Sequence, residues 1–278
     1  MKIALEYFTC DVDKFEIAPE LVLRRAELEE RQTFYSRTNN PKDVEVKAKE
    51  NEFFVEYDFE IPRGSIHGLA PADGINLISI FFTVVGSHIL NINKGNFYLT
   101  NDNEFRSAGF YTCPNEYRFV SKALYNHDDL EQLKTFWPIF KSQYMNNLNF
   151  ALVARRYYYS ILRLNDEDRL IDLMIALEAL LVPETTGTKG DKIASRLASL
   201  ISPKREFNAV QNFASKAYWL RNKIVHGGDI RKLLVGDTSI NLVSDYCKTA
   251  IQEYLLKYPG LNSRKLARIL SEHALEFN

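Results

Sequence analysis

The chain has 278 residues, 46% of them hydrophobic, and a net charge of −1, enough material for one large domain or two ordinary ones with real cores. Its cysteines, Cys10, Cys113 and Cys247, are far apart and odd in number, which argues against a disulfide framework or a CxxC zinc site. The opening MKIALEYFTCDVD lacks the apolar stretch of a signal peptide, and the most apolar run, Leu77 to Val85, is too short to span a bilayer. A soluble, cytoplasmic protein with no membrane partner is therefore expected.

The charge is spread unevenly. Residues 1–130 carry 14 Lys+Arg against 21 Asp+Glu, and residues 131–278 carry 21 against 15, so an acidic half at −7 precedes a basic half at +6. A basic half suits a polyanion-binding module. The texture changes at about the same place, and the sequence predicts an α+β protein: a β-rich sensor or specificity domain over 1–128 and a helical domain over 129–278.

In chain order, PELVLRRAELEERQTFY (19–35) reads as a helix, with proline at its start and dense Glu/Arg pairs. EFFVEYDFEI (52–61) alternates with period 2 and predicts a strand with one face in the core and the other mostly wet. LISIFFTVV (77–85) is β-branched and aromatic and predicts an interior strand, with further strands at NFYLT (96–100) and EYRFV (116–120).

Helical patterning runs from Asp128 almost to the end. NFALVARRYYYSILRL (149–164) predicts one helix, and Asn165, with Asp168 three residues on, predicts the capped start of a second that Pro183 terminates. That second helix is apolar on most of its circumference and should be central in a bundle. TTGTKGD (185–191) reads as a loop before the short helix IASRLASLI. A Ser-Pro start at 202 and 203 opens a long helix reaching His226, which Gly227 and Gly228 close. Two more helices are expected over 240–258 and 263–275, parted by Pro259 and Gly260.

On the long helix, at about 100° per residue, Phe213, Ala217, Leu220 and Ile224 form the expected core seam, and Lys216 and Lys223 flank it. The far side mixes Ser215, Tyr218, Arg221, Asn222, Val225 and His226. A face so composed meets another helix or another subunit more readily than bulk water. Asn222 and His226 stack at i and i+4, and Arg221 reaches round on its long stem. If two copies pair about a twofold axis, one groove holds both histidines and both arginines.

These residue types suit metal-independent RNA cleavage. That reaction needs a base for the 2′-hydroxyl proton, an acid for the leaving 5′-oxygen, and a cation for the phosphoryl oxygens. His226 can be base or acid, Arg221 forks onto phosphate, and Asn222 can position either. No carboxylate cluster with metal-ligand spacing sits nearby in the sequence, so no metal or other cofactor is expected.

RNKIVH (221–226) resembles the signature of HEPN domains: an arginine, a polar residue directly after it, and a histidine a short distance on, here with four residues between. LIDLMIALEALLVPE, the linker TTGTKGDKIASRLASLI and the ending YWLRNKIVHGG together resemble the ApeA-like branch of that family, over residues 145–260. The first half lies outside the resemblance. What the resemblance implies is an all-helical bundle that dimerises through the motif helices, with Arg221 and His226 as the catalytic pair. The implied activity is metal-independent endoribonuclease, leaving 2′,3′-cyclic phosphate ends on an RNA substrate. Members of this kind serve in toxin–antitoxin and phage-defence systems, which brings in an antitoxin or regulatory partner. Some HEPN proteins are instead non-catalytic modules that dimerise and bind a partner protein or nucleotide, and that alternative stands beside the nuclease. A further alternative is an ordinary helical interaction domain in which RNKIVH is a basic helix end.

Other residues complete the expected site. Glu178, beside the Ile171 and Ile175 stripe, should be partly buried and paired, and could orient Arg221 or, equally, Arg196. Arg155 and Arg156, next to Tyr157, Tyr158 and Tyr159, mix cations with aromatics as an RNA-stacking surface would, although the tyrosines also suit core and interface. Lys223 adds a third RNA-binding cation. His67, His88, His127 and His273 stand apart in sequence, and GSIHG (64–68) and TGTKGD fit no nucleotide-binding pattern.

Overall fold

The computed structural model describes residues 2–6, 8–38, 43–50, 52–58, 71–86, 91–92, 97–99, 105–107, 123–183, 187–202, 204–228 and 239–277. The fold is α+β, with a mainly antiparallel sheet first and a helical region after it. Two compact units divide the chain, Met1–Pro138 and Ile139–Asn278, and the division falls inside a helix rather than at the change of texture near residue 128.

In chain order the first unit holds β1 (Lys2–Glu6), β2 (Phe8–Cys10), β3 (Lys14–Ala18), β4 (Leu21–Arg25), α1 (Leu28–Thr38), α2 (Val44–Glu50), β5 (Phe53–Tyr57), α3 (Pro71–Val85), β6 (Asn91–Ile92), β7 (Phe97–Leu99), β8 (Phe105–Ser107) and β9 (Ala123–Tyr125). Among the described residues the main sheet runs β3-β4-β5-β1-β7-β8, with β6 also on β1, and β2 pairs in parallel with β9. Register sets the two faces. Ile3↔Val55 and Leu5↔Phe53 share one, and Ala4↔Phe54 the other.

The face of β5 expected to be mostly wet is covered at Phe54, half-covered at Glu56 and exposed at Asp58 just past the strand. Phe54 is fully buried against Phe34 of α1, their rings 5.7 Å apart, in a cluster with Ala4, Tyr35, Ala48 and Leu99. Glu56, on that same side, is drawn in by Arg24 at 2.8 Å. Arg24 and Lys2 both bind Glu30 of α1, at 2.8 and 2.6 Å, tying that helix to the sheet. Residues 59–61 and EYRFV (116–120) lie outside the described residues; NFYLT contains β7, as expected.

Two N-terminal expectations are corrected. The helix expected over 19–35 is a strand, β4, followed by α1: Leu21 and Leu23 alternate inward with period 2, and only from Leu28 does the chain coil. LISIFFTVV is the body of helix α3, not a strand. A continuous apolar run carries no period, and here burial on all sides outweighs the strand preference of its Ile, Phe and Val residues. Its two polar groups are absorbed by the helix itself, Ser79 Oγ donating to the Ile75 carbonyl at 2.8 Å and Thr83 Oγ1 to the Ser79 carbonyl at 2.7 Å.

Helix α4 (His127–Asn146) crosses from one unit into the next. The second unit then contains α5 (Leu148–Leu162), α6 (Asp166–Leu181), α7 (Lys189–Ile201), α8 (Phe207–Val225), α9 (Ile240–Lys257) and α10 (Ser263–Ala274). Asn147, Ser239 and Asn262 cap α5, α9 and α10 by accepting backbone N–H bonds. Asn165 holds the cap position of α6 but its side chain makes no capping bond, so the expected capping pair with Asp168 is not formed. Helix α8 starts at Phe207, later than the Ser-Pro pair, because Glu206 accepts from the Asn208 and Ala209 amides. Part of the expected TTGTKGD loop belongs to α7, whose first turn begins at Lys189.

Helix α6 is central, as expected: it packs on α5, α7, α8, α9 and α10. One buried carboxylate locks it to α5. Asp172, its side chain 3% exposed, receives Arg156 Nη1 and Arg163 Nε at 2.8 Å each.

Candidate active site at the end of helix α8

Helix α8 buries Phe207, Val210, Ala214, Ala217 and Leu220. The expected seam is therefore right at Ala217 and Leu220 and displaced elsewhere. Phe213 and Ile224 are only half-buried, Phe213 meeting the Tyr246 ring edge-on at 5.1 Å.

The last turns carry the candidate residues. Tyr218, Arg221 and Asn222 are half-buried, whereas Lys223, Val225 and His226 are exposed. The Arg221 Nη1 donates to Asn222 Oδ1 at 3.0 Å, and its guanidinium carbon lies 5.9 Å from the centre of the Tyr218 ring, within cation–π range. Arg221 Nε is enclosed and has no hydrogen-bond partner. Among the described residues no carboxylate bonds to this arginine.

His226 is the C-cap of α8, at φ −92° and ψ 15°. Gly227 takes φ +79°, its N–H donating to the Ile224 carbonyl at 2.9 Å, while Gly228 N–H returns to the Lys223 carbonyl at 2.8 Å. This pair of bonds is a Schellman closure, which needs a left-handed residue at its turn and so uses glycine. The imidazole is thereby presented at the exposed tip of the helix. At about 100° per residue, Trp219, Asn222, Lys223 and His226 share one stripe, and Tyr218, Arg221, Asn222 and Val225 the adjacent one. Trp219 is 49% exposed, with Lys223 Nζ 4.1 Å from its ring centre. Trp219 stands outside the faces expected from the sequence, although its i+7 spacing to His226 is legible there.

Glu178 does not contact Arg221 or Arg196. It accepts a hydrogen bond from Lys189 Nζ, in the first turn of α7. Arg196 is instead 6% exposed and bound to the Leu181 carbonyl and Ser271 Oγ, at 2.8 and 2.9 Å. The hydrogen bond to Glu178 and that carboxylate's charge hold the Lys189 ammonium above its ordinary pKa, with Tyr218 adding to the effect and the nearby Arg221 charge opposing it. Helix α7 reaches α8 here because Gly190 leaves room for Tyr218: a Cβ at 190 would stand 2.7 Å from Tyr218 Cδ1. The structure thus gathers Glu178, Lys189, Tyr218, Arg221 and Asn222 from three helices. Lys189 was invisible in the sequence, being far from the motif and inside a Thr/Gly-rich stretch.

The other expected RNA contacts divide. Arg155 is exposed, whereas Arg156 is committed to Asp172. Tyr157 is buried, Tyr158 half-buried and Tyr159 43% exposed. His127 lies 3.9 Å from Glu131 and His273 lies 3.6 Å from Glu276. His67, His88, the GSIHG string and Cys113 fall outside the described residues. Cys10 and Cys247 are buried and unbridged. Among the described residues no helix is long and apolar enough to cross a membrane.

No family model matches this chain, nor does any curated protein or solved structure.

Proposed function

We propose that the chain is a metal-independent endoribonuclease of HEPN type, built on the ApeA-like helical domain that its second half resembles. The observation carrying this reading is the end of α8: an arginine bonded to the asparagine beside it, with an enclosed Nε still lacking a partner, and an exposed histidine delivered by a glycine closure. In this reaction His226 removes the 2′-hydroxyl proton or protonates the leaving 5′-oxygen. The 2′-oxygen attacks phosphorus, the P–O5′ bond breaks, and a 2′,3′-cyclic phosphate remains. Arg221 stabilises the phosphoryl oxygens through the transition state, and Asn222 holds its guanidinium. Exposed Lys223 and Arg155 supply further cationic contacts to the RNA backbone. The sheet-containing unit serves as sensor or specificity module, and the biological setting is a toxin–antitoxin or phage-defence system with an antitoxin or regulatory partner.

The assembly that goes with this reading is a twofold homodimer through α8. Trp219 at 49% and Val225 at 55% exposure are large apolar surfaces beside the motif, of the kind that anchor interfaces. Those same surfaces favour the second reading, a non-catalytic module that dimerises and binds a partner. One experiment separates the two. His226→Ala lies off the core and is expected to melt at the wild-type temperature while cleavage of labelled RNA disappears, with wild-type cleavage persisting in EDTA and yielding cyclic phosphate ends. Undiminished cleavage by folded H226A ends the assignment, and a wild-type protein that dimerises without cutting any RNA selects the binding module.

A further inference from the structure

Three helices bring a second cation to Arg221. Lys189 opens α7, and its ammonium is fixed by Glu178 of α6. Its neighbour Gly190 rests on the Tyr218 ring, and that ring is in turn 5.9 Å from the Arg221 guanidinium. Lys189 and Arg221 are thus linked through Gly190 and the Tyr218 ring, and the Arg221 charge opposes that of the Lys189 ammonium. Two like charges held together in a folded protein cost energy unless an anion comes between them. Glu178 is bonded to Lys189, so the three side chains Lys189, Arg221 and Glu178 carry a net charge of one positive unit, from two cations and one anion. Glu178 bonds to the lysine, leaving Arg221 with the neutral amide of Asn222 and an unpartnered Nε. A phosphodiester brings the one negative charge that balances the cluster, and its oxygens accept from both an ammonium and a guanidinium.

We propose that Lys189 is a phosphate-binding residue of the α8 site, oriented by Glu178 as a positioning residue, so that Lys189 and Arg221 together grip one phosphodiester of the RNA. This assignment rests on the nuclease reading for its substrate. It divides the two cations by role. The arginine forks onto the phosphoryl oxygens, and the lysine, as a compact point charge, neutralises that same phosphodiester as it enters the site. The place of Gly190 follows: a side chain there would press on the Tyr218 ring, and either that ring or the first turn of α7 would have to give way.

The test uses the full chain, a cleavable RNA and a 2′-O-methyl RNA of the same sequence that cannot be cut. Lys189→Gln is expected to fold, since the side chain is 34% exposed, and to bind the methylated RNA about tenfold more weakly, with a salt slope shallower by roughly one. In cleavage it should raise KM with little change in kcat. Lys189→Arg should restore most of the binding, and Glu178→Gln should raise KM by a smaller factor. If the wild type cuts RNA and Lys189→Gln keeps its KM and salt slope, the role of Lys189 is overturned while the nuclease stands. If the wild type binds the methylated RNA in a Lys189-dependent way but cuts nothing, Lys189 is upheld and the nuclease falls. A protein that neither binds nor cuts RNA overturns both.

Discussion

Gly190 and Tyr218 are in close contact: a single methyl group on the glycine would sit 2.7 Å from the tyrosine Cδ1. Gly190→Ala is therefore expected to cost about 1–3 kcal/mol, the range for overpacking a tight contact. It should also displace Tyr218 and, through the cation–π contact, Arg221. Denaturant melts and RNA cleavage measured together check this. A variant of wild-type stability and rate would mean that the ring swings aside freely.

Arg155 and Arg156 are neighbours with opposite commitments, one exposed and the other bonded to the buried Asp172 carboxylate. Arg156→Ala is expected to lower stability by about 1.5–3 kcal/mol, as for loss of a hydrogen bond to a charged group, and to leave RNA binding near wild type. Arg155→Ala should do the reverse. Filter binding at two salt concentrations beside a urea melt reads both, and an exchange of these phenotypes would refute the assignment.

How much of this could be read from the chain alone differs between the units. The helices of the second unit announced themselves through 3.6-residue periodicity and through stop signals such as Gly227, and the Arg221 to His226 string was visible as it stands. In the first unit, α3 has no period to read, so composition pointed to a strand and burial on every side decided for a helix. The charges of β4 and α1 run together, and only the inward alternation of Leu21 and Leu23 parts them. Lys189 could not have been found by spacing, because the contact of its neighbour Gly190 with Tyr218 exists only once α7 has packed on α8.

Glu30 makes the first unit sensitive to acid. Burial works against ionisation of its carboxyl, but hydrogen bonds and charge from Arg24 and Lys2 outweigh burial and hold it at about 2, below its ordinary 4.5. A carboxyl whose pKa is lower in the folded state contributes stability that is complete above pH 4.5 and is lost as pH falls from 4.5 through about 2. Wild type and Glu30→Gln should accordingly differ most in melting temperature near neutrality and converge toward pH 2. A difference that is constant across this range would show that the ion pairs are not its source.

The chain has two tryptophans, Trp137 at 1% exposure and Trp219 at 49%. Iodide quenching of intrinsic fluorescence is therefore expected to report almost wholly on Trp219. If α8 forms the interface of a homodimer, quenching should weaken as protein concentration rises through the dissociation constant, and a Trp219→Phe protein should show no such change. Quenching that stays constant while light scattering records a dimer would place the interface elsewhere.

The glycine closure after His226 also sets where the chain can tolerate a change in length. Between Arg221 and His226 every residue is wound into the helix, so one added or removed residue would turn the imidazole by about 100° relative to the guanidinium. At Gly227 and Gly228 the helix closes, and the same change made beyond the closure would leave both groups where they are. Within a few positions, the chain passes from a stretch that keeps strict count to one where counting no longer matters.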